Sequence, residues 1–272
     1  MEKLTMDGIC RDYGKRIRIC IIGAGNVATH LAVSLAGVCD LLQIASRSGE
    51  SARRLCAQIG GGCEPIDNLA DLRADADLYL IAVSDDSIAE VVARTCDFPG
   101  VWAHTSGSVP VAVFEGKKSR FGVFYPLQTF TRTVDVEMRE VPFFVEGCNR
   151  VVSEYLMQIA SLIADRVETA DSHRRKKLHL AAVFACNFAN QMWVEADSIL
   201  KESGLSIEYL MPLLKVTLGK LENVSPMDAM TGPARRGDIA VINAQLDQLD
   251  GERREIYRLL SDRILHEFKS KQ

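Results

Sequence analysis

Ile21-Ile22-Gly23-Ala24-Gly25-Asn26-Val27-Ala28 is the stretch whose reading decides the fold. Residues 16–22 before it read as an apolar strand broken by Arg18, and residues 26–36 after it read as a helix. A strand, a Gly-x-Gly-x-x-Ala turn and a helix in that order form the context that a dinucleotide fingerprint requires. Gly23 permits the tight turn, and Gly25 lets the backbone approach a pyrophosphate with no Cβ in the way. Ala28 stands where a third glycine is usual and is small enough for close helix–strand packing. The free N–H groups opening the helix then face the anion. Gly23, Ala24, Gly25, Asn26 and Val27 are therefore candidate cofactor-binding residues. The alternative is a plain glycine turn in an α/β fold that holds no ligand.

Outward from this turn, short apolar runs alternate with amphipathic stretches, the signature of βαβ units around a parallel sheet. Strands are expected at 41–45, 78–83, 101–104, 122–126 and 141–146, with a short edge strand near 63–66. Helices are expected at 51–59, 87–96 and 149–164. After about residue 170 the strand signals stop, and helical periodicity runs through 178–200, 206–221, 238–249 and 252–268. The reading is an α/β fold: a Rossmann-type, doubly wound, mostly parallel sheet over residues 1–167, followed by an all-α domain over 168–272.

The second strand bears on the choice of cofactor. An enzyme that uses NAD usually ends this strand with a carboxylate about 20 residues past the glycines, to hold the ribose 2′-hydroxyl. Here Ala45-Ser46-Arg47-Ser48 stands in its place, with Ser46 21 residues after Gly25. A guanidinium flanked by two hydroxyls suits a 2′-phosphate dianion, so Ser46, Arg47 and Ser48 point to NADP(H). Read as a surface arginine, Arg47 leaves the choice open. Ala82, Val83 and Ser84 follow the fourth strand, where loops at carboxyl ends surround a ligand. Ser84 can touch the cofactor, or Ser84 or Asp85 can cap the next helix.

Composition limits the function classes. The 272 residues are 47% hydrophobic and 25% charged, values typical of a globular protein. Thirty-two basic against 36 acidic side chains give a net charge of −4, which argues against broad nucleic-acid binding. No apolar run approaches the roughly 18 residues that cross a bilayer. The charged N-terminal MEKLTMDGICRDYGKR lacks the apolar core of a secretory signal, so a cytoplasmic protein without membrane contact is expected. The eight cysteines include no Cys-x-x-Cys pair, which speaks against a disulfide framework. Cys20 and Cys186 lie in apolar runs and read as small core hydrophobes. The five histidines show no ligand spacing, so no metal is expected.

Three stretches concentrate polar residues suited to chemistry. His104-Thr105-Ser106-Gly107-Ser108 follows the 101–104 strand, and Tyr125-Pro126-Leu127-Gln128-Thr129-Phe130 follows the next. Thr231-Gly232-Pro233-Ala234-Arg235-Arg236-Gly237-Asp238 lies in the helical half; Asp238 suits a helix N-cap, and one of the two arginines can hold a carboxylate or phosphate. The apolar helix from 178 carries His179, Asn187 and Asn190. On an ideal helix Asn190 falls about 20° from His179, and Asn187 about 80° away and about 12 Å along the axis. His179 is thus a candidate proton donor, with Asn187 and Ser106 as further catalytic candidates. His104, Gln128, Asn190, Thr231 and Arg236 are candidates for substrate binding, and His104 is a second candidate donor. The bland alternative is a satisfied polar contact between domains. Arg174-Arg175-Lys176-Lys177 reads as a solvated helix face.

Taken together, GAGNVATHLA, AVSDDSI, HTSGSV, YPLQTF, HLAAVFACNFAN and TGPARRGD resemble a family of NADP oxidoreductases that join a Rossmann-like domain to a DUF-type helical domain. The resemblance covers nearly the whole chain. More distantly the chain is similar to pyrroline-5-carboxylate reductase and the deazaflavin-dependent NADP reductases. These relatives imply a homodimer built through the helical domains, with a small carbonyl, imine or deazaflavin-like substrate between them and the nicotinamide. The β-hydroxyacid dehydrogenases share the plan but place a catalytic lysine four residues before an asparagine; here His179 and Val183 stand near those places. The expectation is an NADP(H)-dependent oxidoreductase, and its rival a non-catalytic NADP(H)-sensing module.

Overall fold

The computed structural model describes residues 16–269. The N-terminal MEKLTMDGICRDYGK, with Cys10, lies outside the described residues. The chain divides into two compact units, one reaching Cys186 and the other beginning at Asn187. The division falls later than the expected 1–167 and 168–272: a last strand joins the sheet at 167–169, and the helix after it sets Leu178 against the sheet. That strand, Val167–Thr169, has no apolar run to announce it.

The first unit is an eight-stranded sheet ordered β3-β2-β1-β4-β5-β6-β7-β8. The strands are β1 (Arg18–Ile22), β2 (Asp40–Ala45), β3 (Glu64–Ile66), β4 (Leu78–Ile81), β5 (Val101–His104), β6 (Phe121–Pro126), β7 (Phe143–Gly147) and β8 (Val167–Thr169). The first six are mutually parallel; β7 pairs antiparallel with β6, and β8 runs parallel to β7. The order reverses between β1 and β4, the switch point outside which doubly wound sheets bind ligands. Arg18, the one charge in β1, leaves the sheet at its amino end, where it forks onto Asp77 at 3.1 and 3.2 Å and reaches Asp75 at 3.0 Å. The carboxyl end of β1 is thereby left apolar up to the glycine turn.

Helices cover both faces of the sheet. On α1 (Asn26–Ala36) the buried Ala28, Leu31, Ala32 and Leu35 follow the i, i+3, i+4, i+7 stripe of an amphipathic helix. Together with α2 (Glu50–Ile59) and α4 (Arg150–Ser161) this helix packs on one face. The opposite face takes Ile88, Val91 and Val92 of α3 (Asp85–Arg94). Trp102 of β5 is fully buried there, stacked on Tyr79 at 4.3 Å with Lys118 Nζ over its ring. A further helix, α5 (Ser172–Ala182), sets Leu178 against Val123, Tyr125 and Phe144.

The helix expected over 178–200 is not continuous. After α5 comes a π-helical segment, Val183–Phe188, and only then α6 (Ala189–Glu202). A π segment breaks the constant 100° step, so the grouping of His179 with Asn187 and Asn190 on one flank does not stand. The rest of the second unit is α7 (Met211–Lys220), the short α8 (Pro226–Ala229) and α9 (Pro233–Arg236), α10 (Ile239–Leu246) and α11 (Gly251–Lys269). Arg253 ties α11 to α6 through Glu195 at 3.0 Å, Glu202 at 2.9 Å and Ser198 at 2.8 Å. Cys20 is buried as expected, but Cys186, on the π segment, is exposed rather than part of a core. No described helix is long and apolar enough to cross a membrane.

Candidate functional site

A cavity of about 680 Å³ opens at the carboxyl ends of β1, β2 and β4. Gly23, Ala24, Gly25, Asn26 and Val27 form one wall, Ser46, Arg47 and Ser48 a second, and Ala82, Val83 and Ser84 a third. All of the residues expected to bind cofactor therefore face one space. The two glycines have different reasons to be there. Gly23 has φ +124° and donates its N–H to Ala45 O at 2.8 Å; a Cβ on it would run into the Ala82 carbonyl. Gly25 has an extended backbone open to any residue, and a Cβ there would meet no protein atom within 4 Å. Protein packing requires Gly23, while the space above Gly25 is left for something else. Gly25 is also the N-cap of α1, whose first turn has neither a side-chain cap nor an acidic residue, so its N–H groups remain suited to an anion.

Arg47 is exposed, and its guanidinium has no hydrogen-bond or ion-pair partner among the described residues. Ser84 is the N-cap of α3 by position, but its hydroxyl bonds the Ser87 hydroxyl at 2.9 Å instead of a helix N–H. Asp85 does not cap either; its carboxylate accepts from Ser108 Oγ. That bond ties the 82–85 wall of the cavity to the loop after β5. Among the wall residues that the sequence did not single out are Asp67, Arg94 and Arg132. Asp67 and Arg132 lie in segments without periodicity, Arg132 just after the YPLQTF run, whereas Arg94 sits at the last turn of α3.

Beyond Ser108 the loop meets a pair of titratable groups. Gly107 lies so close to them that a Cβ would come within 2.7 Å of both His179 Nδ1 and the Tyr125 ring. Tyr125 Oη and His179 Nδ1 are 3.1 Å apart. Burial pushes the Tyr125 phenol up to about 12, opposed by the nearby Arg175 charge. The phenol therefore keeps its proton at neutral pH, and its hydroxyl can donate to Nδ1 or accept from it according to the ring's tautomer. Tyr125 was visible in the YPLQTF run, but only its hydrogen bond to α5 gives it a role.

Other candidates are placed differently. His104 is fully buried, stacked on Phe114, and its Nδ1 accepts the Ser106 N–H at 3.1 Å. Burial, then the Arg175 charge, pushes its pKa down to about 3. Such a group is a neutral support for the loop, not a proton donor in contact with substrate. Ser106 Oγ accepts from the backbone N–H of Ser108 at 3.1 Å and of Val109 at 3.0 Å, so its hydroxyl shapes the same loop. Gln128 is exposed and accepts from Thr129 N at 2.8 Å. In the second unit Asn187, Asn190, Thr231 and Arg236 are exposed. Arg236 pairs with Asp238, whose carboxylate therefore does not cap α10, and Arg235 is held by the Asp228 and Met230 carbonyls.

The buried His104 has a measurable consequence. The unfolded chain takes up a proton at this residue near pH 6.5 and the folded one only near pH 3, so stability falls as pH drops through that window. The contribution is about 2 kcal/mol lost by about pH 5, so urea melts of His104→Gln will show a flatter decline from about pH 7 to 5 than wild type. Equal slopes would place the histidine's proton outside the folding equilibrium.

A glycine-floored cavity at the switch point of a doubly wound sheet defines the Rossmann class, whose members bind dinucleotides at this place. The comparisons agree. A Rossmann-like domain model matches residues 6–123, and the domain of unknown function DUF2520 matches residues 141–264. A Bacteroides fragilis protein described as an NADP oxidoreductase is 39% identical, with 92% of this chain and 98% of that one covered and a TM-score of 0.85. A reductive aminase from Aspergillus terreus, in complex with NADPH and ethyl-5-oxohexanoate, shares 14% identity over 93% of this chain and 95% of its own, with a TM-score of 0.70. A 1-pyrroline-5-carboxylate reductase from Streptococcus pyogenes shares 13% over 93% and 98%, with a TM-score of 0.61. No curated protein matches the chain by sequence. The chain belongs to the family of NADP oxidoreductases in which a Rossmann-like domain precedes a DUF2520 domain.

Proposed function

We propose that the protein holds NADP(H) in the switch-point cavity and reduces, or oxidises in reverse, a small C=O or C=N substrate. The observation that carries this reading is the cavity itself, with its open space over Gly25 and its unpaired Arg47. NADP(H), when bound, supplies or accepts a hydride at its nicotinamide. Gly25 and the first turn of α1 would hold the diphosphate, and Arg47 with Ser46 and Ser48 the 2′-phosphate. The absence of a carboxylate at the end of β2 favours the phosphorylated cofactor over NAD(H). Arg47→Ala is expected to weaken NADPH binding about 10–100-fold while changing NADH binding less than about 2-fold, as read by fluorescence titration. Trp102 is fully buried, so energy transfer, not contact quenching, will report the nucleotide. Failure of wild type to bind either nucleotide would overturn the reading.

The proton is assigned to His179. With Nδ1 engaged by Tyr125, Nε2 is the ring nitrogen left for the substrate: the imidazolium gives the Nε2 proton to the reduced C=O or C=N, and the neutral ring with Nε2 unprotonated takes one in the reverse direction. The loop from Ser84 and Asp85 through Ser108 and Gly107 links this pair to the cavity wall. His179→Ala is expected to lower kcat/KM by about 10²–10⁴-fold, followed as NADPH oxidation against a panel of imines and 2-oxo acids. NADPH affinity should stay within about 2-fold of wild type, and full turnover would remove His179 from the chemistry. We also propose a homodimer through the helical unit. No residue of α6 or α7 is buried, although α7 exposes Leu213, Val216 and Leu218 and α6 exposes Val194 and Ile199. Apolar helices of this kind need a cover, and a second copy supplies it. Light scattering on the titration samples should give the mass of two chains.

A further inference from the structure

We propose that Arg132 is a ligand of the dinucleotide's diphosphate, delivered to the glycine turn by a strap that follows β6. The proposal rests on the NADP(H) reading above and adds to it a residue that the fingerprint does not contain.

Residues 127–132 leave the end of β6 and are fastened to the start of α1 at three points. Asn26 Nδ2 donates to Phe130 O at 3.0 Å, and His30 Nε2 lies 2.9 Å from Thr131 O. Arg132 Nη2 donates to Ala24 O, the carbonyl in the middle of the Gly-Ala-Gly turn. The Phe130 side chain is buried and its ring lies 4.8 Å from that of His30, so the strap is anchored by packing as well as by hydrogen bonds. Phe130 and Arg132 both line the cavity.

The bond to Ala24 occupies one guanidinium donor of five. Among the described residues no acidic side chain pairs with Arg132, so its charge is uncompensated beside the turn. Of the other arginines in the cavity, Arg94 is paired with Glu90 at 3.0 Å, and Arg47 stands at the end of β2. The turn has backbone donors and space but no cation of its own. A diphosphate carries two negative charges, and helix N–H groups alone compensate about half a charge. Arg132 is the residue placed to supply the remainder, as a planar fork suited to phosphate oxygens.

The test separates the two phosphate sites by ligand. NADPH, ADP-ribose (diphosphate, no 2′-phosphate) and adenosine 2′-monophosphate (2′-phosphate, no diphosphate) are titrated calorimetrically into wild type, Arg132→Ala, Arg132→Lys and Arg47→Ala. Arg132→Ala is expected to weaken NADPH and ADP-ribose alike, by about 10–100-fold, and to leave adenosine 2′-monophosphate within about 2-fold. Arg47→Ala should show the opposite pattern for the two fragments. Arg132→Lys, which keeps the charge without the fork, should fall between alanine and wild type. Unchanged ADP-ribose binding in Arg132→Ala overturns the proposal while leaving the NADP(H) reading intact. Equal weakening of all three ligands also overturns it, because it would place Arg132 in the shape of the turn and not at the phosphate. If wild type binds NADPH in no measurable way, the NADP(H) reading fails first and this one falls with it.

Discussion

Gly23→Ala abolishes nucleotide binding and destabilises the fold, whereas Gly25→Ala abolishes binding and leaves the fold intact. That contrast is the expected result for two glycines one residue apart. At Gly23 a methyl group meets the Ala82 carbonyl, and φ +124° is a conformation that L side chains rarely adopt. The backbone strain and the overlap together are expected to cost about 3–5 kcal/mol, and they push β4 away from the turn. Both displaced segments are walls of the cavity, so NADPH affinity falls by more than about 100-fold. At Gly25 the backbone is extended and a methyl group meets no protein atom within 4 Å. Stability should therefore stay within about 1 kcal/mol of wild type, in either direction. The methyl group instead fills the approach to the α1 N–H groups, so binding is lost. Urea melts and NADPH titrations of the two variants check both halves. A Gly25→Ala protein that binds NADPH like wild type would mean that no phosphate lies over this turn.

Five of the first six strands were legible because each is a short, largely buried apolar run that stands out between amphipathic helices; β3, with only Ile66 buried, is the exception. The meeting of the loops after β1, β2 and β4 at one cavity was legible too, since a doubly wound sheet sends those loops to one place. What escaped has a common cause. Val167–Thr169 is too short and too polar to carry a strand period, yet it adds to the sheet beside β7. The strap after β6 has no period at all, and its contacts with Asn26 and Ala24 span more than 100 residues. The π segment at Val183–Phe188 leaves the composition of an ordinary helix unchanged and alters only its phase. That is why arithmetic on His179, Asn187 and Asn190 went astray although the helices themselves were found. His104 illustrates a different failure. Its place at the carboxyl end of β5 suggested chemistry, but complete burial removes its charge and turns it toward support of the loop.

The most misleading signal was Arg174-Arg175-Lys176-Lys177, where a run of cations suggests a solvated face. Arg174, Lys176 and Lys177 are exposed as that reading expects, but Arg175 is fully buried. Its guanidinium pairs with Glu146 of β7 and donates to Val109 O at 2.6 Å, with Ser172 Oγ at 3.3 Å. The pair thus fastens α5, β7 and the loop after β5, and it lies one helical turn before His179. Ion pairs taken out of water are weak contributors when whole, but removing one partner strands the other. Arg175→Ala would leave Glu146 with Ser172 Oγ and deprive Val109 of its donor. The expected loss is about 3–5 kcal/mol of stability in urea unfolding, with activity falling further because the loop that carries Gly107 against His179 loosens. Glu146→Gln should cost a similar amount by stranding the guanidinium. The double variant Arg175→Met, Glu146→Leu should cost clearly less than the two single changes added together, since neither charge is then buried alone. Additive losses would show that the two side chains stabilise the fold independently, and that the 175–146 contact is not what joins these three segments.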